Sequence, residues 1–284
     1  MDLGLSQSAT ALRDQVRDFV QTRVLPVEPE FMAELDTGGR WQFSPRQVEI
    51  IETLKSDARG LGLWNFWLTD GSGDHQLSTV EYAYLAEEMG QSRLGPEVFN
   101  CNAPDTGNME VFHKYGTPAM QDKWLKPLMD GKIRSAYLMT EPQVASSDAT
   151  NIEMSCRRDG DEYVLNGEKW WATGAGDPRC AVYIVMVKTG GDDAPRHGQH
   201  SMIVVDAASP GIEILRPMEV YGDDDAPWGH MHLRFTDVRV PAQNMLLGPG
   251  RGFEIAQGRS LVGLLILQYG VNVWTSPAQR VKLG

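Results

Sequence analysis

The segment Tyr137-Leu-Met-Thr-Glu-Pro142, continued by Gln143 to Asp148, carries residue types suited to holding a polar planar ligand. A strand-like run ends there, and a polar loop with two adjacent serines, Ser146 and Ser147, follows. Amides and hydroxyls at a strand end are free to bond a ligand because the ladder no longer uses them. A second segment, Trp170-Trp-Ala-Thr-Gly174, sets two tryptophans side by side. On a regular strand they point to opposite faces, so one enters the core and the other lies against a ring system, with Thr173 adding a hydroxyl beside it. A single strand tryptophan reads as core, so the case for a ligand rests on the two segments together.

The remaining reactive residue types read more plainly. Glu141, beside a proline, reads as a turn or cap residue rather than a base. His230 and His232 share a strand face, but no third ligand stands at a telling spacing, so no metal is expected. The 3 cysteines, Cys101, Cys156 and Cys180, are few, odd in number and without CxxC spacing, which argues against a disulfide scaffold and a zinc module. They read as partly buried thiols. Gly174-Ala-Gly176 and Gly248-Pro-Gly250 are turns, not a dinucleotide fingerprint. Arg251 and Arg259 suit a phosphate or a surface ion pair equally. With 38 acidic against 26 basic residues the net charge is -12, which argues against nucleic acid as the main partner. The longest apolar run, Leu261 to Trp274, is too short for a membrane span, and no signal peptide is visible. A soluble protein of a reducing compartment is expected.

The elements that must position these segments change character along the 284 residues, a length that suits about two domains. The first part reads as helices. Leu12, Val16, Phe19 and Val20 fall at helical spacing after Ser8. Ser44-Pro45 with Gln47 opens a second helix through a capping box, with Phe43 and Val48 placed for a hydrophobic staple. Ser78 and Glu81 open a third, with Tyr82, Leu85, Ala86 and Met89 on one face and Gly90 at its end. Asp105 and Thr117-Pro118 start two more, closed by Gly116 and Gly131. After about Arg134 short runs of Val, Ile, Tyr and Trp alternate with turn signals. Asp159-Gly160 and Asn166-Gly167 read as hairpin dipeptides. The runs are Met154–Arg158, Tyr163–Leu165, Glu168–Thr173, Ala181–Val187, Ser201–Val205, Ile212–Leu215, His230–Phe235 and Val238–Val240. Asp192 to Gly198 reads as a polar loop, and a helical pattern resumes at Gly252. The class is α+β: an N-terminal helical bundle domain, then an antiparallel β-barrel or sandwich domain.

Three of these segments together resemble the acyl-CoA dehydrogenase family. They are Tyr137 to Asp148, Asn166-Gly-Glu-Lys-Trp-Trp-Ala-Thr173 and Gly248-Pro-Gly-Arg-Gly-Phe253, in the family's order and spacing. Lys114-Tyr-Gly-Thr117 through Trp124-Leu-Lys-Pro-Leu128, and Val238-Arg-Val-Pro241, resemble it too. The resemblance covers roughly Leu5 to Arg259. The wording Ala145-Ser-Ser-Asp-Ala-Thr-Asn151 is similar to the subfamily whose animal members carry a kinase-like domain upstream. The resemblance implies a helical domain over 1–133, a middle β domain over 134–247 and the start of a C-terminal four-helix bundle over 248–284, the bundle itself being absent.

It also implies FAD-dependent α,β-desaturation of an acyl-CoA in fatty acid β-oxidation: a carboxylate takes the α-proton, and the β-hydrogen leaves as hydride to flavin N5. Tyr137, Met139, Thr140, Ser146, Trp171, Ala172 and Thr173 would line the flavin, and Ser147 would meet the acyl-CoA. The implied partners are an electron-transfer flavoprotein or oxygen and further copies of the chain. The implied location is cytoplasmic in a bacterium, mitochondrial or peroxisomal in a eukaryote. The pattern fades after Arg259. The family's base belongs to the bundle, so no catalytic residue is assigned here. Ser260 to Gly284 reads as a frameshifted, alternative or truncated ending, with Leu264, Leu265, Ile266 and Leu267 forming an aggregation-prone patch. Two other readings stay open: an acyl-CoA oxidase or related flavin monooxygenase on the same scaffold, and an inactive chain that only binds partners or ligand.

Overall fold

The computed structural model describes residues 4–37, 39–69, 73–191 and 193–258. Asp192, Arg259 and the ending Ser260 to Gly284 lie outside the described residues, and so do the expectations placed on them. The chain divides into two compact units.

The first unit is helical over its described residues up to Thr106. Its helices are α1 (Gln7–Phe19), α2 (Glu28–Ala33), α3 (Pro45–Gly60), α4 (Thr79–Met89) and the short α5 (Gly95–Val98). The capping boxes at Ser44 and Ser78 both form as expected. The cap of α1 is Ser6: its hydroxyl accepts from the Ala9 amide and itself donates to Glu81 at 2.6 Å. The staple does not form, because Val48 is 46% exposed while Phe43 lies against Phe31. Phe19, Phe66 and Phe99 meet in the core, with ring centroids 5.4 and 5.9 Å apart about Phe99.

Glu81 joins two helix starts, since its other oxygen accepts from the Ser78 amide. The Ser6 hydroxyl, then the Ser78 amide, hold its carboxyl down at about 2. The unfolded carboxyl titrates near 4.5, so the charged form stabilises the fold above that pH, and the gain fades as pH falls towards 2. Glu81→Ala is therefore expected to lose about 1 kcal/mol at pH 6. In chemical denaturation the gap to wild type should narrow steadily below pH 4.5.

The second unit holds Arg40–Gln42 and, among the described residues, 107–258. Most of α6 (Asp105–Tyr115) lies here, followed by α7 (Pro118–Met120), a π-helical turn and α8 (Lys126–Met129). Thr117 caps α7 as expected. The rest is a curled seven-stranded sheet: β1 (Arg134–Leu138), β2 (Ser155–Asp159), β3 (Glu162–Thr173), β4 (Cys180–Lys188), β5 (His200–Asp206), β6 (Ile212–Met218) and β7 (His230–Pro241). The order is β1-β4-β2-β3-β7-β6, with β5 on β4. The α+β class holds, and the antiparallel expectation is amended. The sheet is mixed, because β1 runs parallel to β4 from Ser135↔Val182 to Leu138↔Val185. Alternation is the same in both strand directions, so periodicity alone does not reveal this.

Asp159-Gly160 makes the expected hairpin between β2 and β3. Asn166-Gly167 does not. It lies inside β3 at a bulge, where Thr236 and Asp237 of β7 face the single Asn166, whose side chain exchanges hydrogen bonds of 3.0 and 2.8 Å with Asp237. Gly167 has φ 147°, and a Cβ there would lie 2.9 Å from the Met154 Cγ, so glycine is required for close approach rather than for a turn. The core fills the sheet's concavity, with Leu165, Ala172, Val185, Ile203, Leu233 and Phe235 all nearly inaccessible. A helix begins at 252 as expected and is described through 258.

Candidate functional site

All the site residues expected from the sequence lie in the second unit, around the end of β1 and the last residues of β3. The two are joined where the Trp170 amide donates to the Thr140 carbonyl at 3.0 Å. The β3–β7 register jumps from Lys169↔Leu233 to Ala172↔Met231. Trp170 and Trp171 therefore share the single opposing residue His232. Trp171 takes up the extra residue with φ 52°, a left-handed conformation unusual for a bulky side chain. This corrects the expectation of one buried and one exposed tryptophan. Both rings are half-buried, and they meet edge to face with centroids 6.4 Å apart. His232 sets its ring against Trp170 at 6.4 Å, and His230 sets its ring against Trp171 at 5.6 Å. Strain of this kind costs energy and persists only where the surroundings enforce it, which marks the bulge as a functional candidate.

Thr173 lies opposite His230, and its hydroxyl is 2.8 Å from the His230 Nδ1. Burial lowers the His230 pKa below the ordinary histidine value, with Asp225 opposing. His232 Nε2 is 3.0 Å from Glu168, which also accepts from Arg234 at 2.9 Å. Arg234, then His232, lower the Glu168 pKa. Both histidines are thus bonded within the sheet face.

The loop after β1 is built from beneath. Lys169 is fully buried opposite Leu233, on the core side of β3. Its ammonium donates to the Met139 carbonyl at 2.9 Å and to Glu141 at 2.8 Å. Glu141, 3% exposed, also accepts from the amides of Glu153 at 2.8 Å and Met154 at 2.9 Å. Burial pushes Lys169 down to about 8, with Glu141 opposing. Glu141 is therefore a buried ion-pair partner rather than a turn residue. Its reach across to β3 was missed because Glu141 and Lys169 are remote in sequence. An inward lysine between Leu165 and Ala172 is the signal that a buried partner was needed.

The other expected contacts divide. Thr140 and Ser147 are exposed, while Tyr137 and Met139 are half-buried, the Tyr137 hydroxyl facing the Met202 sulfur at 3.7 Å. Ser146 is buried: its hydroxyl accepts from the Glu141 amide at 2.8 Å and reaches the Val144 carbonyl at 3.1 Å. It braces the loop and has no hydroxyl to present outward. Ala172, 1% exposed, points into the core, because the bulge has already spent the outward position on Trp171. Cys101 and Cys156 are buried and Cys180 partly so, all as free thiols. Arg251 pairs with Glu254 at 2.8 Å.

These elements match two family models: the acyl-CoA dehydrogenase N-terminal domain over residues 6–132 and the middle domain over residues 136–238. The chain belongs to the acyl-CoA dehydrogenase family. It is 51% identical over 264 residues to acyl-CoA dehydrogenase family member 10 of Mus musculus, covering 90% of this chain and 24% of that protein. It spans less than a third of the length of that relative and of acyl-CoA dehydrogenase family member 11 of Gallus gallus. An acyl-CoA dehydrogenase structure from Mycobacterium abscessus superposes with a TM-score of 0.89 at 44% identity, over 95% of this chain and 67% of that one. The FAD complex of PigA shares the fold at 19% identity and TM-score 0.72, over 96% of this chain and 67% of that one. As an acyl-CoA dehydrogenase family chain, this protein is of an oxidoreductase family. Among its described residues, no helix is long and apolar enough to cross a membrane.

The Trp170 indole N–H is buried with no acceptor among the described residues. Beside it stand the half-exposed Trp171 ring, the Thr173 hydroxyl and the exposed Thr140. A half-buried aromatic surface next to hydroxyls and an unpaired donor suits a planar heterocycle with several acceptor atoms.

Proposed function

We propose that this chain forms the flavin-side wall of an acyl-CoA dehydrogenase, acting in α,β-desaturation of an acyl-CoA during fatty acid β-oxidation. Bound FAD would supply the redox chemistry, which no side chain provides. The observation that carries the reading is the β3 bulge, which sets two tryptophans and Thr173 on one face beside the Met139–Ser147 loop. In this reading Trp171 offers the ring surface. Thr140 and Thr173 offer hydroxyls that orient the flavin, and Tyr137 and Met139 close its edge. Ser147, at the outer side of the loop, meets the acyl-CoA thioester. Glu141 is held by Lys169 and takes no proton from substrate. An electron-transfer flavoprotein or oxygen would then take up the electrons.

The test is flavin binding. The purified chain, mixed with FAD and desalted, should keep a flavin absorption band. Trp171→Ala should bind FAD about 3- to 10-fold more weakly by fluorescence titration, the loss of one good aromatic contact. A wild-type chain that retains no flavin, or a Trp171→Ala chain with unchanged affinity, overturns the reading.

A further inference from the structure

His230 touches both residues on which the flavin reading most depends. Its Nδ1 lies 2.8 Å from the Thr173 Oγ1, and its ring edge meets Trp171 at 5.6 Å and 62°. The backbone on both sides is fixed. The Gly174 amide donates to the Gly229 carbonyl at 3.0 Å. A Cβ on Gly229 would fall 2.0 Å from the Asp224 carbonyl oxygen and 2.9 Å from the Trp41 ring, so this segment admits only glycine before His230. The histidine is thus held against the threonine by packing as well as by the hydrogen bond.

A neutral imidazole carries one proton, and its position decides what Thr173 presents. With the proton on Nε2, Nδ1 is an acceptor and takes up the threonine O–H, leaving only lone pairs for a ligand. With the proton on Nδ1, the ring donates to Oγ1 and the threonine proton is free to point outward. An isoalloxazine offers mainly acceptors along its edge, so only the second arrangement gives it a donor.

We propose that His230 is a positioning residue of the flavin site: by donating from Nδ1 it turns the Thr173 hydroxyl outward as a donor, and its ring edge holds Trp171 in the bulge. The assignment rests on the flavin reading above and adds to it a residue outside the motifs that the sequence singled out. His232 plays no equivalent part, because its partner is Glu168 and its ring meets Trp170.

The test compares wild type, His230→Phe and His230→Asn as full chains with FAD. Phenylalanine keeps a ring edge for Trp171 and removes the hydrogen bond. Asparagine puts an amide close to the place of Nδ1. His230→Phe should bind FAD about 3- to 10-fold more weakly, the worth of one hydrogen bond, and should shift the bound flavin's absorption maximum. His230→Asn should recover most of both. In a Thr173→Val background, His230→Phe should add little, since the bond is already gone. Unchanged affinity and spectrum in His230→Phe overturn the assignment. So does an asparagine variant no better than phenylalanine, or full additivity with Thr173→Val. A wild-type chain that binds no FAD instead overturns the flavin reading, and this assignment with it.

Discussion

Glu141→Gln is expected to cost about 3–5 kcal/mol of folding stability near neutral pH, the scale of breaking a buried ion pair on one side. The variant keeps the shape of the side chain and removes only its charge. Lys169 is then a fully buried ammonium whose nearest oxygens are the Met139 carbonyl at 2.9 Å and whatever the amide offers. The amide fits poorly, because both carboxylate oxygens are acceptors in the native chain, one for the Glu153 amide and the other for the Met154 amide and Lys169. Its NH2 group must face a donor in either orientation, leaving a buried clash of donors.

The sign of the pH dependence follows from Lys169. The unfolded lysine keeps its proton to about 10.5, while in the folded chain burial brings it down to about 8. Without the opposing charge of Glu141 it falls further in the variant. Over the interval between the variant's value and 8, the folded variant has shed a proton that its unfolded chain and the folded wild type still hold. Its stability therefore rises with pH relative to wild type there, and the deficit shrinks. Urea unfolding at pH 7 and pH 9 reads both effects. A deficit under about 1 kcal/mol at pH 7, or one unchanged at pH 9, contradicts this account. The double change Glu141→Gln with Lys169→Met, which removes both charges, should recover part of the loss. The same pair holds the loop carrying Met139, Thr140 and Ser147, so on the proposed flavin reading the single variant should also bind FAD more weakly.

Phe235→Ala is expected to cost about 3–5 kcal/mol by leaving a cavity in the sheet core. Phe235 is 2% exposed and stands on β7 between Gly167 of β3 and Ile212 of β6. Gly167 has no side chain to move into the space, and Met154 already lies against it. Relaxation is therefore limited, which places the loss in the upper part of the usual range. Ile214→Ala is the control. Ile214 is also an apolar β-sheet residue, but at 48% exposure its truncation should stay within about 0.5 kcal/mol. Equal losses at the two positions would mean that the sheet does not curl around Phe235 as described. Chemical denaturation of both variants at pH 7 decides it.

Local signals in the sequence determined where elements start and stop. Ser44 with Gln47 and Ser78 with Glu81 each satisfy amide groups at a helix start with atoms three residues away, so they work wherever they occur. Asp159-Gly160 closes a hairpin for the same reason: the turn needs a left-handed residue at that point, and Gly160 has φ 61°. The order of motifs from Tyr137 to Phe253 likewise pointed to the family before any contact was known.

Tertiary structure decided what lies across a strand. Asn166-Gly167 has the composition of a turn, yet Met154 and β7 make it a bulge. The two tryptophans share a face because β7 offers one residue against two, which no periodicity within β3 can show. Ser146 turns inward while Ser147 stays out, although the two are neighbours of the same type. The choice was made by the Glu141 amide and the Val144 carbonyl, which needed a partner. Glu141 and Lys169 each look unremarkable alone. Burial makes their pairing obligatory, because an isolated charge there would lose its hydration with nothing in return. The sequence by itself determined which side chains are available to a planar ligand. Only the folded sheet, through its bulges and its buried ion pair, decided which of them lie together on one face.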